Sequence, residues 1–396
     1  MSQPTPPTHP TSPPQHARQI VELIARGEAS SRSDLSRILG LAPSTVSLRV
    51  AELTELGVLH EEGVGISSGG RRPRILRLRG DRGSILVADL GGGHARIGRV
   101  DLSGALLATT TIPVDVGDGP EATLTAIAAA MRGLATEVDP EFRGIRGVGV
   151  ALPGPVDVDT GIVDQPSRMP GWPGFRVRDW LSREFGVPAA VDNDANLMAL
   201  GEHRAQFGAT RHSVTVKAGT AIGSGIVVDG VLHRGATWAA GDVTHTRIDA
   251  ADDRPCSCGN TGCLETVASG ASLVRQMNER GITVHTTADV LALARDADPV
   301  ATTLVRTAGT YLGQVLSTVV NFFNPDALFL TGSMSSSEPF IAAVRSRIYE
   351  GCHPLVTQRL RIEAASTGPN AGLLGAARLV LDELTFSSDE AAPTAR

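Results

Sequence analysis

The sequence is short of aromatic residues, lysine and cysteine, and it lacks long apolar runs. Aromatic residues make up 4% of its 396 residues, lysine occurs only as Lys217, and there are four cysteines. No apolar run reaches the ~18 residues that a membrane-spanning helix needs, and the Pro/Thr/Ser-rich start differs from a secretory signal. We therefore expect a cytoplasmic protein with no membrane partner, in a compartment where structural disulfides are rare.

The remaining composition is typical of a soluble α/β protein with two or three compact units. Hydrophobic residues account for 41% of the chain, and it contains 44 glycines. The net charge of −6 is unevenly spread: residues 16–80 hold ten arginines and seven acidic residues, whereas the remainder holds 26 basic and 35 acidic residues. A basic module in front of an acidic body predicts that only the first module meets a polyanion.

Residues 16–80 are predicted to form a winged helix-turn-helix. Apolar residues recur at helical spacing from Ile20 to Ile24. A second helix is expected with Ser33 as its N-cap and Gly40 after its end. A third helix then follows a short turn, which is the order of a tri-helical DNA-binding module.

The third helix, which follows Pro43, is the expected reader of the DNA major groove. Val46 and Val50 recur on its inner face. Its outer face carries short hydroxyls, which suit phosphates and base edges, and an arginine, which suits guanine or phosphate. The predicted DNA-binding residues of this helix are Ser44, Thr45, Ser47 and Arg49, with Leu48 beside them.

A segment rich in glycine and arginine lies between two short apolar strands after the third helix. The strands are expected at 58–60 and 75–78, and Arg71 and Arg72 lie between them. A flexible basic tip of this kind fits a wing that contacts phosphates or a minor groove. The alternative is a module for protein contacts with solvated arginines, but the basic excess favours double-stranded DNA.

Three of the four cysteines and one histidine lie between residues 245 and 265. One imidazole and three thiolates complete the tetrahedral coordination of Zn²⁺ and leave no position for a reacting water, so a bound zinc would be structural. The alternative is a disulfide with chance clustering, which an intracellular chain disfavours. The predicted zinc ligands are His245, Cys256, Cys258 and Cys263.

Four segments, in order, resemble blocks of the ROK family (repressors, open reading frames and sugar kinases). They are Val-Gly-Val-Ala-Leu-Pro-Gly-Pro-Val-Asp (148–157), Val-Asp-Asn-Asp-Ala-Asn (191–196), Ala-Leu-Gly-Glu (199–202), and His245 with Cys-x-Cys-Gly-x-x-Gly-Cys-Leu-Glu. The resemblance covers roughly residues 84 to 382. It implies an α/β, two-lobed, actin-like (ribonuclease H-like) sugar-kinase-type domain with a sugar in the cleft.

A repeated pattern of strand, glycine turn and strand supports two similar lobes. It begins at Ile85 and again at His212. The expected division of the chain is a disordered tail at 1–15, the winged helix-turn-helix at 16–80, lobe 1 at 84–204 completed by a C-terminal helix at 371–384, lobe 2 with the zinc motif at 205–370, and a disordered tail at 387–396.

The resemblance also implies a set of sugar contacts, and the residue types are suitable because carboxylates accept from sugar hydroxyls. A metal-bound His245 can offer its other ring N–H to the sugar. Asp194 has an alternative use as a helix N-cap. The family's usual Ala-Gly-Glu-x-Gly-His is altered by Asp242 and Thr244. The implied contacts are Asn193, Asp194, Asp242, His245 and Glu265.

In kinase members of the family, the counterpart of Asp194 is the general base. Both phosphate loops of this chain depart from the kinase pattern, because Gly93 replaces a threonine and Ala221 replaces a glycine. A methyl group at the second position can block a close phosphate. We therefore expect a vestigial nucleotide site formed by Asp89, Gly91, Gly92, Gly219, Thr220 and Gly332.

These features favour a sugar-responsive transcriptional regulator, a repressor in particular, that is not an enzyme. One alternative is an active ATP-dependent sugar kinase that carries a DNA-binding domain. Another is a zinc-stabilised protein that no longer binds sugar. The expected partners are a DNA operator, a sugar or sugar-derivative effector, and further copies of the chain in a homodimer or a dimer of dimers.

Overall fold

The computed structural model describes residues 13–25, 28–55, 58–64, 74–78, 83–136, 144–206 and 210–386. Residues 1–12 and 387–396 of the two expected tails lie outside these ranges. Arg71 and Arg72 of the expected wing tip lie outside them as well.

Three helices and two strands form the N-terminal module, and the first helix begins three residues before the expected start at His16. Leu59 pairs with Leu78 in the antiparallel strand pair, and the Leu76 N–H donates to the Ser30 carbonyl at 2.8 Å. The elements are α1 (Pro13–Ala25), α2 (Arg32–Leu39), α3 (Pro43–Glu55), β1 (Leu59–Val64) and β2 (Arg74–Leu78). The buried core includes Ile20, Leu35, Val46, Val50, Leu53, Leu59 and Leu76.

The N-cap of α2 is Ser31, so the predicted cap at Ser33 is wrong. Ser31 has extended backbone, and its Oγ accepts from the Asp34 N–H at 3.2 Å. Asp34 in turn accepts from the Ser30 N–H at 3.1 Å. The acidic residue three positions after Ser31 selects that serine among its neighbours, because a reciprocal pair satisfies more amide groups than a lone cap. Gly40 ends the helix in the left-handed conformation, as predicted.

The next part of the chain builds the first lobe around one mixed sheet. Its third strand along the chain was not predicted, since three consecutive threonines there interrupt the apolar pattern. The elements are β3 (Ser84–Leu90), β4 (His94–Asp101), β5 (Leu106–Pro113), α4 (Pro120–Thr136), β6 (Ile145–Leu152), β7 (Val156–Asp157), β8 (Ile162–Val163), α5 (Val177–Phe185), β9 (Ala189–Asn193) and α6 (Asp194–Ala205).

The second lobe follows, and the last helix returns to the first lobe. The elements are β10 (Ser213–Ala218), β11 (Ile222–Val228), β12 (Val231–His233), α7 (Glu265–Ala268), α8 (Gly270–Glu279), α9 (Thr287–Arg295), α10 (Pro299–Phe323), β13 (Ala327–Thr331), α11 (Glu338–Gly351), α12 (Pro354–Thr357), β14 (Arg361–Ala364) and α13 (Ala371–Phe386).

The two lobes have the same sheet topology. Lobe 1 has the strand order β5-β4-β3-β6-β9, and lobe 2 has the order β12-β11-β10-β13-β14. In each sheet the first three strands along the chain are antiparallel neighbours, the fourth pairs in parallel with the first, and the fifth pairs in parallel with the fourth. The predicted duplication and the α/β class are therefore confirmed.

Two helices join the lobes. Leu373 and Val380 of α13 pack into the lobe 1 core, and α6 packs against both α13 and the lobe 2 sheet. The helices α6 and α13 approach so closely that a Cβ on Gly375 would lie 1.8 Å from the Leu197 carbonyl oxygen. Only glycine fits that crossing, so α6, which carries Asp194 at its start, is held firmly between the lobes.

The longest helix that the structure describes is α10, with 25 residues. Gly309 and Gly313 let it approach α11, since a Cβ on Gly309 would lie 2.6 Å from the Phe340 carbonyl oxygen. Within the described ranges, the chain has no helix that is both long and apolar enough to cross a membrane.

Candidate metal and ligand sites

His245 and the three nearby cysteines form one compact cluster. All four ligand atoms lie within 4.8 Å of one another. The Cys256 Sγ lies 3.5 Å from His245 Nδ1, and the Cys258 and Cys263 sulfurs are 3.7 Å apart. Tetrahedral coordination with bonds of about 2.3 Å requires sulfur separations of about 3.7 Å. The four side chains can therefore hold a metal ion, and the cysteines are free, so the disulfide alternative is wrong.

Backbone hydrogen bonds fold the cluster's loop. Gly262 has φ +74°, and a Cβ there would lie 2.6 Å from the Asp252 carbonyl oxygen. The Ile248 N–H donates to Gly262 at 2.9 Å, and the Cys256 N–H donates to Asn260 at 2.8 Å. The loop thus brings the sulfurs together through main-chain contacts, for which glycine at position 262 is required.

Without a cation, the cluster disfavours the thiolate of Cys263, whereas burial of Cys258 is outweighed by hydrogen bonds from the Asn260 backbone and the neighbouring thiols, which lower its pKa. Burial, together with the neighbouring thiols of Cys258 and Cys256, raises the pKa of Cys263 to about 12. A bound divalent ion reverses this balance because its charge stabilises the thiolates. The donor set therefore suits a metal better than it suits three independent thiols.

Asn193, rather than Asp194, caps α6. The Asn193 Oδ1 accepts from the N–H groups of Ala195 and Asn196 at 3.0 and 3.2 Å, and its Nδ2 donates to the Gly154 carbonyl at 3.1 Å. The alternative use of Asp194 as the cap is therefore wrong. Asp194 is the first residue of the helix and is buried between the lobes, where its carboxylate meets a partner from the other lobe.

Lys217 donates from Nζ to Asp194 Oδ2. Their side chains are 19% and 7% exposed, so water screens the pair only weakly. Burial alone would lower the pKa of Lys217, but the carboxylates of Asp194, Asp89 and Glu265 outweigh it and raise the pKa. The lysine stays charged and joins β10 of lobe 2 to α6, a role that the sequence did not predict.

Asp89 lies at the end of β3, close to this pair. Burial raises its pKa to about 7, although Lys217 opposes the rise. A Cβ on Gly372 would lie 2.4 Å from Asp89 Oδ2, so the start of α13 closes over the carboxyl group. Asp89 is thus half-protonated near neutral pH and is poorly suited to hold a cation there.

Glu265, at the start of α7, is buried and fully engaged. Its Oε2 accepts from the Thr244 hydroxyl at 2.6 Å and from the Ile222 N–H at 3.0 Å. Its Oε1 accepts from Arg168 Nη2 at 2.7 Å. Thr244, which replaces the family's usual glycine, therefore acts on the ligand loop by orienting Glu265.

Asp242 lies beside the metal cluster. Burial raises its pKa, while His245 lowers it through its charge and its backbone N–H. Asp194 and Glu265 both lie within electrostatic range of Lys217. The structure therefore groups the acidic residues of the predicted sugar site around Lys217 and His245.

A second buried ion pair crosses between the lobes. Arg234 directly follows β12, and its Nη2 lies 2.8 Å from Asp192 Oδ2. The Asn196 Nδ2 donates to Asp192 Oδ1 at 3.0 Å. Asp192 is 1% exposed on its side chain. This role of Asp192 was not predicted, although the run Val-Asp-Asn-Asp contains a second carboxylate at the right position.

The second phosphate loop is used by protein contacts. The Gly219 and Thr220 carbonyls accept from the first amides of α8, Gly270 and Ala271, at 2.7 and 3.0 Å. Gly332 packs against the same turn, because a Cβ there would lie 2.5 Å from the Ala218 carbonyl oxygen. In the first loop, Gly92 and Gly93 border open space.

The outer face of α3 differs from the prediction at Arg49. Ser44, Ser47 and Leu48 are exposed, and Thr45 is half-buried. The Arg49 side chain is only 16% exposed and pairs with Glu52 at 2.7 Å. It lies along the helix surface, because an acidic residue three positions away is within reach on the same face, so the prediction of an exposed Arg49 is wrong.

Comparison with known proteins accounts for nearly all of the described chain. Residues 85–383 match the model of the ROK family, and residues 15–59 match a winged helix-turn-helix DNA-binding model. The chain belongs to the ROK family. The resemblance seen in the four sequence blocks and the predicted fold class are both confirmed.

The relatives include regulators and kinases. The xylose repressor of Bacillus subtilis strain 168 is 30% identical, over 92% of this chain and 94% of that repressor. The crystal structure of a ROK family transcriptional regulator, a homolog of the Escherichia coli MLC protein, matches with TM-score 0.78 and 27% identity, covering 95% of this chain and 98% of that one. A ROK glucokinase from Streptomyces griseus, in complex with glucose and AMPPNP, matches with TM-score 0.66 and 28% identity, covering 75% and 99%.

This ROK chain is a DNA-binding transcriptional regulator, as expected. The repressor and the regulator match it over both the winged helix-turn-helix and the two lobes, whereas the glucokinase leaves a quarter of it unmatched. The N-terminal module is therefore the part that separates it from the kinases of its family.

Proposed function

We propose that this protein represses transcription and that a neutral monosaccharide bound between its lobes changes its affinity for DNA. The observation that carries the proposal is the joint presence of a winged helix-turn-helix and a cleft of buried carboxylates held by cross-lobe ion pairs. The named function of the xylose repressor, which matches along both parts, makes D-xylose the first sugar to test.

We further propose that the cleft binds sugar without phosphorylating it. A general base must accept a proton from the attacking hydroxyl. Asp194 already accepts from Lys217 through Oδ2 and from the Ala195 N–H through Oδ1 at 2.7 Å. In the second loop, the Gly219 N–H, which a phosphate would need, already donates to the Ala221 carbonyl at 3.1 Å. These contacts support a binding site rather than a kinase site.

The proposed sugar contacts keep the five residues that the family resemblance implied. Carboxylates of this kind accept strongly from hydroxyl groups. His245 uses Nδ1 toward the cysteines, so its Nε2–H is available to a ligand. The contacts would be Asn193, Asp194, Asp242, His245 and Glu265.

The metal in this proposal is zinc with a structural role. A His-Cys₃ set with sulfurs 3.7 Å apart matches tetrahedral Zn²⁺. The loop that it would order carries His245 and leads directly into Glu265. Zinc would therefore fix the sugar-binding groups without taking part in chemistry.

The proposed DNA complex is a symmetric dimer on a pseudo-palindrome. Each α3 would enter the major groove through Ser44, Thr45 and Ser47, and Arg71 and Arg72 would contact phosphates. Half-sites would be separated by whole helical turns, because both copies must face the same side of the duplex.

Two assays test the proposal. DNA selected from a random pool by the full-length protein supplies an operator, whose Kd is then measured with and without D-xylose, D-glucose and N-acetylglucosamine. A change in Kd with one sugar, and no ADP formed with ATP and that sugar, is the expected result. Steady ADP formation that is lost in Asp194→Asn would support the kinase alternative instead.

A further inference from the structure

Arg168 crosses from lobe 1 to lobe 2 and occupies the carboxylate of Glu265. Its Nη2 donates to Glu265 Oε1 at 2.7 Å, and its Nε donates to Ser257 Oγ at 3.3 Å. Ser257 lies between two cysteines of the metal cluster. We call these two contacts the Arg168 bridge. It connects one lobe to both the metal loop and a proposed sugar contact of the other lobe.

The loop that carries Arg168 is fixed to the core of lobe 1. Met169 and Trp172 are buried there, and Trp172 Nε1 donates to the Val116 carbonyl at 2.9 Å. A Cβ on Gly154 would lie 3.0 Å from the Met169 sulfur, so the loop packs closely against the segment that also binds Asn193. The guanidinium therefore follows the position of lobe 1.

The two oxygens of Glu265 have different partners. Oε2 is satisfied within lobe 2, by Thr244 and Ile222. Oε1 is bonded by Arg168, which is 39% exposed, whereas the Glu265 side chain is only 3% exposed. The carboxylate is therefore buried, and Arg168 bonds Oε1, the oxygen that Thr244 and Ile222 leave open.

We propose that Arg168 is the residue that the effector displaces: it holds Glu265 in the free protein and releases it when a sugar hydroxyl donates to Oε1. This inference rests on the proposed function of the cleft as a sugar site. Sugar binding then exchanges an ion pair for a bond from a neutral hydroxyl, so Arg168 lowers the apparent affinity. Because the bridge joins the lobes, its release makes the lobe arrangement depend on the sugar.

Arg168→Met tests the proposal, because methionine keeps an unbranched side chain but cannot bond Glu265. Calorimetry of the full-length protein with D-xylose, D-glucose and N-acetylglucosamine should show binding about three- to tenfold tighter than wild type. Arg176→Met is the matched control: Arg176 pairs with Asp179 at 2.6 Å within lobe 1, so its loss should leave the sugar Kd unchanged. Ser257→Ala removes one contact of the bridge and should give a smaller gain.

The DNA affinity gives a second readout. Without sugar, Arg168→Met should bind operator with a Kd shifted toward that of the sugar-saturated wild type. If Arg168→Met unfolds, Arg168→Lys replaces it in the test. Lysine keeps the positive charge but makes a weaker bond to Glu265, so the sugar Kd of this variant should lie below that of wild type.

Two results would overturn the proposal. If wild type binds a sugar and the folded variants bind it equally or more weakly, the proposed displacement of Arg168 is wrong, but the sugar-responsive function is not contradicted. If neither wild type nor the variants bind any of the three sugars, and sugar leaves the operator Kd unchanged, both the bridge and the proposed function are wrong.

Discussion

Lys217, the single lysine of the chain, donates to Asp194 across the junction of the two lobes. Asp194 begins α6 and Lys217 lies in β10, so the ion pair ties the helix between the lobes to the lobe 2 sheet. The same contact engages the carboxylate that a kinase would use as its base. One pair therefore bears on both stability and the proposed binding of sugar without phosphorylation.

Removing only one member of this pair should destabilise the protein. Lys217→Met leaves the Asp194 carboxylate buried without its cation, which costs roughly 3 kcal/mol. Urea unfolding of the full chain, followed by near-ultraviolet signals of the two lobes, measures the loss. The double variant Lys217→Met/Asp194→Asn should recover most of it, and a double variant as unstable as Lys217→Met would contradict the pairing.

A metal ion bound by the cluster should be necessary for the lobe 2 loop to fold stably. Purified protein should contain about one zinc per chain, and Cys258→Ser should lower the metal content and the unfolding temperature. Cys352→Ser is the matched control, since this cysteine lies outside the cluster. Elemental analysis of protein purified without chelators gives the answer, and a metal-free, fully stable wild type would refute the site.

Asp89 should make stability depend on pH. Burial raises its pKa to about 7, so its contribution is complete below the ordinary carboxyl pKa and is lost as the pH rises through about 7. The stability that Asp89→Asn gains relative to wild type should therefore be larger at about pH 8 than at about pH 5, by at most about 3 kcal/mol. Urea unfolding at both pH values is the measurement. An equal difference at both would show that Asp89 titrates normally.

The two predicted classes of DNA contact should respond differently to mutation. Arg72→Ala should weaken binding to all sequences and reduce the slope of log K against log salt by about 1. Arg49, which pairs with Glu52, should contribute less than the about 1–3 kcal/mol typical of a base-reading arginine. Anisotropy titrations at several salt concentrations separate the two. If Arg49→Ala lost much affinity and lost sequence preference at a single operator position, Arg49 would instead be a base-reading residue.

The sequence predicted the architecture well because its signals were local. Glycine turns between apolar strands marked both lobes, and three cysteines in eight residues marked the cluster around His245. The strand β5 was missed because three consecutive threonines interrupt its apolar pattern, and its place depends on pairing with β4. The cap of α2 was misplaced because several serines compete there and only contacts with Asp34 decide between them.

The site was predicted less completely, because its partners are distant in sequence. Arg168 lies 97 positions from Glu265, and Arg234 lies 42 positions from Asp192. No spacing rule connects such residues before the lobes are folded together. The family resemblance implied the carboxylates, but it did not indicate which cation each carboxylate would meet.

The most direct test of a sugar-responsive repressor is the operator affinity of wild type and Asp194→Asn, with and without the best-binding sugar. A tenfold change in wild-type Kd corresponds to about 1.4 kcal/mol of coupling. Asp194→Asn keeps the shape but removes the charge, so it should reduce that change while leaving the operator Kd without sugar nearly the same. Because the variant also leaves Lys217 unpaired and lowers stability, both Kd values are measured at a temperature where it is folded. A wild-type Kd that no sugar alters, or a sugar response of full size in Asp194→Asn, would contradict the account.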